Sequence, residues 1–140
     1  MTLFFHDPIP DVIVIAFCVD SKDSLQNIVE KWHPEVKHFC PNVPIVLVGN
    51  KSDLRKAETD RDGKPLDKTN FNTVEEISKI ASQISAYGSL ECSALLNQDV
   101  DKVFDVASRA ALKIKNRKAA SEHGEGGENE VSCVKKCSIL

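Results

Sequence analysis

Long apolar runs, aromatic residues and excess charge of either sign are all scarce in this 140-residue sequence. Its longest apolar run is residues 12–19, far short of the roughly 20 residues a membrane-spanning helix needs. The amino terminus lacks a positive region followed by an apolar core, so no secretory leader is expected. One Trp, one Tyr and a net charge of -3 leave no basic stripe interleaved with aromatics, which argues against a nucleic-acid partner. There is no C-x-x-C pair and no histidine at zinc-ligand spacing, and five cysteines (Cys18, Cys40, Cys92, Cys133, Cys137) are an odd set. A disulfide framework or a zinc site is therefore not expected, and the thiols read as reduced and cytosolic. His6, His33, His38 and His123 are scattered and suggest no metal or catalytic centre.

What remains is ordinary for one globular domain: 41% hydrophobic and 28% charged. Residues 1–10 carry Pro8 and Pro10 and read as a lead-in. Residues 11–20 hold V-I-V-I-A-F-C-V without alternation, the pattern of a strand covered on both faces of a parallel sheet. From 21 to 40, Leu25, Ile28, Val29, Trp32, Val36 and Phe39 fall on a helical stripe, and Pro34 inside it should kink the helix. Ile45 to Val48 reads as a second buried strand. Residues 54–72 are polar, with Gly63 and Pro65, and read as a surface insertion holding a short helical piece. Thr73 and Glu76 make a capping box ahead of the stripe Ile77, Ile80, Ala81, Ile84. A third strand is expected over 87–92, and a last helix over 99–115 with Val100, Val103, Phe104, Ala107, Ala111 and Ile114 on one face. Residues 116–140 have no periodicity and are expected to be irregular. Strand, helix, strand, helix, strand, helix predicts an α/β fold: a parallel sheet with flanking helices and right-handed crossovers.

Chemistry concentrates at the end of the second strand, V-P-I-V-L-V-G-N-K-S-D over residues 43–53. Ligands of open α/β sheets bind at the carboxyl ends of strands. A fixed carboxylate at Asp53 can accept from the ring N–H and the 2-amino group of guanine together, donors that adenine does not offer in that place. Asn50 can pin the loop or reach the base edge, and the stem of Lys51 can lie along the ring. At the other end, Cys137-Ser138-Ile139-Leu140 fits C-a-a-X, with leucine favouring a geranylgeranyl thioether. Lys135 and Lys136 add a small basic patch, and Cys133 is either a second, palmitoylated anchor or a plain thiol.

Together these stretches resemble a Ras-type small GTPase. Asn50-Lys51-Ser52-Asp53 resembles its guanine-specificity loop, Glu91-Cys92-Ser93-Ala94 its second base-contacting loop, and Cys137 to Leu140 its prenylation box. Glu30-Lys31-Trp32-His33-Pro34-Glu35-Val36 and the long 54–72 insertion resemble the Rho branch, and the likeness covers residues 11–140. It implies that Asp53 and Asn50 read guanine, that Lys51 packs along base and ribose, that the Ala94 N–H meets the guanine carbonyl, and that Ser93 steadies the loop. Leu95 stands where many relatives carry lysine. By the same likeness the ligands are GTP and GDP with Mg²⁺, the partners are Rho regulators and effectors, and the location is the cytosol and the cytoplasmic face of membranes, chiefly the plasma membrane.

One departure from the family pattern is large. The phosphate loop G-x-x-x-x-G-K-[ST] does not occur: the only Gly-Lys pair, Gly63-Lys64, has Glu58 in place of the first glycine and Pro65 in place of Ser or Thr. Asp60-Arg61-Asp62-Gly63 spells D-x-x-G but follows the guanine loop and ends no apolar strand, so it reads as a chance match. The chain thus looks like a Rho-type GTPase lacking the first third of its G domain. Residues 11–115 would be the remaining part, the Mg²⁺ ligands would be absent, and the 11–19 strand would be left with an uncovered edge. Hydrolysis by this chain alone is not expected. A non-catalytic prenylated module that competes for Rho partners, or a fragment that does not fold, are the alternatives.

Overall fold

The computed structural model describes residues 9–122 and 137–139. Four parallel strands form one sheet in the order β3-β2-β1-β4: β1 is Val12–Cys18, β2 Ile45–Asn50, β3 Gly88–Glu91 and β4 Cys137–Ile139. β1 and β2 run in register from Ile13 opposite Ile45 to Cys18 opposite Asn50, which brings both carboxyl ends to one rim. The two strands lack alternation because both faces are covered. Ile13, Ile15, Phe17 and Leu47 pack on one side with Leu25, Ile28, Val36 and Ile77. On the other side, Val12, Val14, Val46 and Val48 pack with Val103, Ala107, Ala110 and Ala111.

The first crossover is not a single kinked helix. It runs as α1 (Lys22–Asn27), a π-helical turn (Ile28–Trp32) and α2 (His33–Phe39). The His33 N–H reaches the Ile28 carbonyl across five residues, and Pro34 sits just past this widened turn, within the first turn of α2. A proline ring would otherwise crowd the carbonyl four residues back, and a π-bulge is one of the ways a helix accommodates such a strain. The extra residue shifts the apolar face: Cys40 is buried and Phe39, placed on the stripe from sequence, is 43% exposed.

α3 (Val74–Gln83) begins at the expected box, with Thr73 Oγ1 accepting from the Glu76 N–H and Glu76 accepting from the Thr73 N–H. α4 covers Val100–Glu122, seven residues beyond the expected end; the sequence there is rich in Ala, Lys, Arg and Glu, which favour helix without needing an apolar stripe. Phe104, placed on the buried face from sequence, is 50% exposed, and Ala110 takes the inner position instead.

The carboxyl-terminal end also departs from expectation. Cys137–Ile139 is a strand, with Val12 opposite Cys137 and Val14 opposite Ile139, so the β1 edge expected to stand uncovered carries a neighbour. Residues 1–8, Cys133 and the rest of the 123–136 tail lie outside the described residues. No helix among the described residues is long and apolar enough to cross a membrane. Cys18, Cys40 and Cys92 are free thiols, Cys92 and Cys40 buried and Cys18 half-buried.

Candidate nucleotide site

The rim where β1, β2 and β3 end carries both loops singled out in the sequence. After Asn50 the chain turns sharply: Lys51 has φ +63, a left-handed conformation that few side-chain-bearing residues adopt, and a 3-10 turn over Ser52–Arg55 follows. The left-handed residue lets a buried strand reverse within one position and delivers Asp53 back to the rim. Two backbone bonds tie this loop to the one after β3: the Cys92 N–H donates to the Gly49 carbonyl at 2.8 Å and the Ser52 N–H to the Cys92 carbonyl at 3.1 Å. Gly49 is required by the packing beneath: a Cβ there would stand 2.9 Å from Phe17 Cζ and 3.1 Å from Glu91 Cγ.

Ser93 is fully buried and joins the two loops through its side chain. Its hydroxyl donates to Asp53 Oδ1 at 2.5 Å and accepts from the Leu96 N–H at 3.2 Å, while its backbone exchanges two bonds with Gln98. One carboxylate oxygen is thus held from behind. Asn50 is exposed, with its Oδ1 accepting from the Cys92 thiol at 3.4 Å. Burial and the nearby Asp99 carboxylate push that thiol above its usual range. Lys51 Nζ lies 3.4 Å from Asp20 Oδ2, across from the end of β1, and Asp20 Oδ1 is buried without a partner among the described residues.

Asn50, Lys51, Asp53 and Ala94 share one cleft of about 580 Å³, with Leu54, Leu66 and Leu95 as apolar walls and Cys18, Asp20, Asp60 and Arg61 completing it. Ser93 does not line it; it acts from beneath, through Asp53. Such a cleft can take a flat, partly apolar ring whose edge carries two adjacent donors. A second cleft, of about 480 Å³ between α1 and α3, contains none of these residues. Among the described residues no cluster of three or more His, Cys, Asp or Glu side chains is placed to hold a metal ion.

Several supporting residues had no sequence signal. Arg55 forms a bidentate ion pair with Glu91 and donates to the Asn72 carbonyl at 3.0 Å. This hydrogen bond to Glu91 raises the guanidinium above its usual range. Asn72 is 1% exposed; its Nδ2 donates to the carbonyls of Cys18 at 3.0 Å and Ser21 at 2.9 Å, fastening the start of α3 to the end of β1. The D-x-x-G string also has a local explanation, since Asp60 Oδ1 accepts from the N–H groups of Asp62 and Lys64 and so closes a turn.

A family model described as "Ras family" matches residues 8–113, a span holding β1, β2 and β3, their crossover helices and both loops of the rim. The fold is the partial α/β Ras-like G domain expected from the sequence, of the superfamily that binds guanine nucleotides. With three-quarters of its length matched, the chain belongs to the Ras family.

Proposed function

We propose that this chain is a Rho-type signalling protein that binds the guanine moiety of GDP or GTP at the β2–β3 rim. The observation that carries the reading is the 2.5 Å bond from the buried Ser93 hydroxyl to Asp53. A carboxylate fixed before the ligand arrives costs little to order on binding, and its free lone pairs are left for the ring N–H and 2-amino group of guanine. The Ala94 N–H would donate to the guanine carbonyl, the Lys51 stem would cover one side of ring and ribose, and Asn50 would hold the loop or reach the base edge. Adenine would leave Asp53 facing a ring nitrogen that carries no proton, and discrimination follows from that unpaired carboxylate.

In the same reading the chain carries a geranylgeranyl thioether on Cys137, with Cys133 as the candidate palmitoyl site, and works at the cytoplasmic face of membranes and in the cytosol with Rho regulators and effectors. The Rho assignment rests on the Glu30 to Val36 stretch and on the 54–72 insertion. This sequence holds no phosphate loop, and charge stabilisation of the transferred phosphoryl group is what drives hydrolysis in such enzymes. The 140-residue chain by itself is accordingly proposed to bind without turnover.

Titration of the full chain with fluorescent GDP, with circular dichroism to confirm folding, tests the proposal. Saturable binding displaced by guanosine but not by ATP, and lost in Asp53→Ala, is expected. A folded chain that binds no GDP, or binds it equally well as Asp53→Ala, refutes it.

A further inference from the structure

The 54–72 insertion does more in this structure than occupy the surface. Its 59–65 stretch is a closed hairpin: Thr59 bridges Pro65, the Asp60 N–H donates to the Lys64 carbonyl at 2.8 Å, and Gly63 makes the turn at φ +78. The Leu66 N–H returns to the Glu58 carbonyl at 2.9 Å and shuts its base. Beyond the hairpin, Lys68 Nζ donates to the Arg55 carbonyl at 3.1 Å and Asn70 Nδ2 to the Asp20 carbonyl at 3.3 Å. The insertion is therefore tied both to the turn that carries Asp53 and to the end of β1. It presents Asp60, Arg61 and Leu66 to the same cleft as Asn50, Lys51 and Asp53.

We infer that this hairpin is the outer wall of the nucleoside site, and that Arg61 is an affinity residue that lies on the face of the bound base, with Leu66 beside it. The inference rests on the guanine reading above. Arg61 has no ion-pair or hydrogen-bond partner among the described residues, whereas Lys51, the other cation of the cleft, is engaged with Asp20. Three carboxylates, Asp20, Asp53 and Asp60, outnumber the two cations. Phosphate groups are repelled from such a cleft, so the uncharged base occupies it and the phosphates project outward. A guanidinium left unpaired beside a purine gains most by lying flat on the ring, where its planar shape stacks and its charge meets the π face.

The test is calorimetric titration of the full chain and its variants with guanosine and, separately, with GDP. Arg61→Ala should weaken both ligands by the same factor, about fivefold. Arg61→Lys, which keeps the charge and loses the plane, should fall between. Asp62→Ala, on the hairpin but outside the cleft, should change neither. A loss confined to GDP would mean that Arg61 meets phosphate and would overturn the assignment. If Arg61→Ala leaves both affinities unchanged while Asp53→Ala abolishes binding, the wall is wrong and the guanine site stands. If the wild-type chain binds neither ligand, both readings fall.

Discussion

Replacing Ser93 by alanine removes one oxygen atom and separates stability from recognition. The hydroxyl makes two bonds, and they differ in worth. Leu96 is largely exposed, so water can take over its N–H at little cost. The bond to Asp53 involves a charged acceptor, a class worth about 1.5–3 kcal/mol, and because Asp53 is only half-buried the lower end applies. Ser93→Ala should therefore lower the free energy of unfolding by about 1.5 kcal/mol, read from the urea midpoint at unchanged m-value. Asp53 then has to be ordered at the moment of binding, which costs about 1 kcal/mol, or roughly fivefold in GDP affinity. A double-mutant cycle isolates the cause: in an Asp53→Ala background, Ser93→Ala should cost less than about 0.5 kcal/mol of stability. Should Ser93→Ala destabilise equally in both backgrounds, or leave GDP affinity untouched, the pre-positioning argument is refuted.

Three further outcomes are expected. Asn72→Ala removes one donor from each of the carbonyls of Cys18 and Ser21, which keep the Ser21 N–H and the Ser24 hydroxyl as donors, and should cost about 1–3 kcal/mol in urea unfolding; a loss under about 0.5 kcal/mol would show that the two bonds carry no net stability. Gly49→Ala forces a methyl group against Phe17 and Glu91 and should cost about 1–3 kcal/mol, with a mobility change at the Cys92 amide visible by hydrogen exchange. The Thr73 N–H, aided by Lys22, holds the Glu76 carboxyl below its usual 4.5, so its contribution is fully present above that pH and is lost as the pH falls through the lowered folded-state value. Glu76→Gln should flatten the acid limb of a melting-temperature profile, and an unchanged limb would exclude the capping box as its source.

The sequence was most legible where one physical rule acts locally. Unbroken β-branched runs marked β1 and β2, and Thr73 with Glu76 marked the start of α3 to the residue. Asn50, Lys51 and Asp53 stood out because a strand end followed by polar residues is a short-range pattern, Ser93 and Ala94 came from the family resemblance, and the parallel register brings the two loops together. Asn72 and Arg55, and the pairing of Arg55 with Glu91, escaped because their meaning depends on partners 17 to 54 residues away, which no window reveals. Phe39 and Phe104 were placed inward by periodicity, which assumes an ideal helix and takes no account of what the opposite wall has room for. The extension of α4 was missed because propensity, and not amphipathicity, carries residues 116–122.

The π turn at Ile28–Trp32 has a consequence for how the chain can change length. Because its bonds span five residues where an α-helix uses four, it spends one additional residue on the same angular travel. It amounts to a single-residue insertion stored inside a helix, with Leu25 before it and Val36 after it still facing the sheet. Deleting one residue there returns an ordinary α-helix with both anchors in phase, whereas the same deletion within α3 would rotate Ile77 and Ile84 away from each other. A difference of one residue between two otherwise alignable chains is therefore best accommodated at this point of the first crossover, and a gap placed there would leave the nucleotide rim undisturbed.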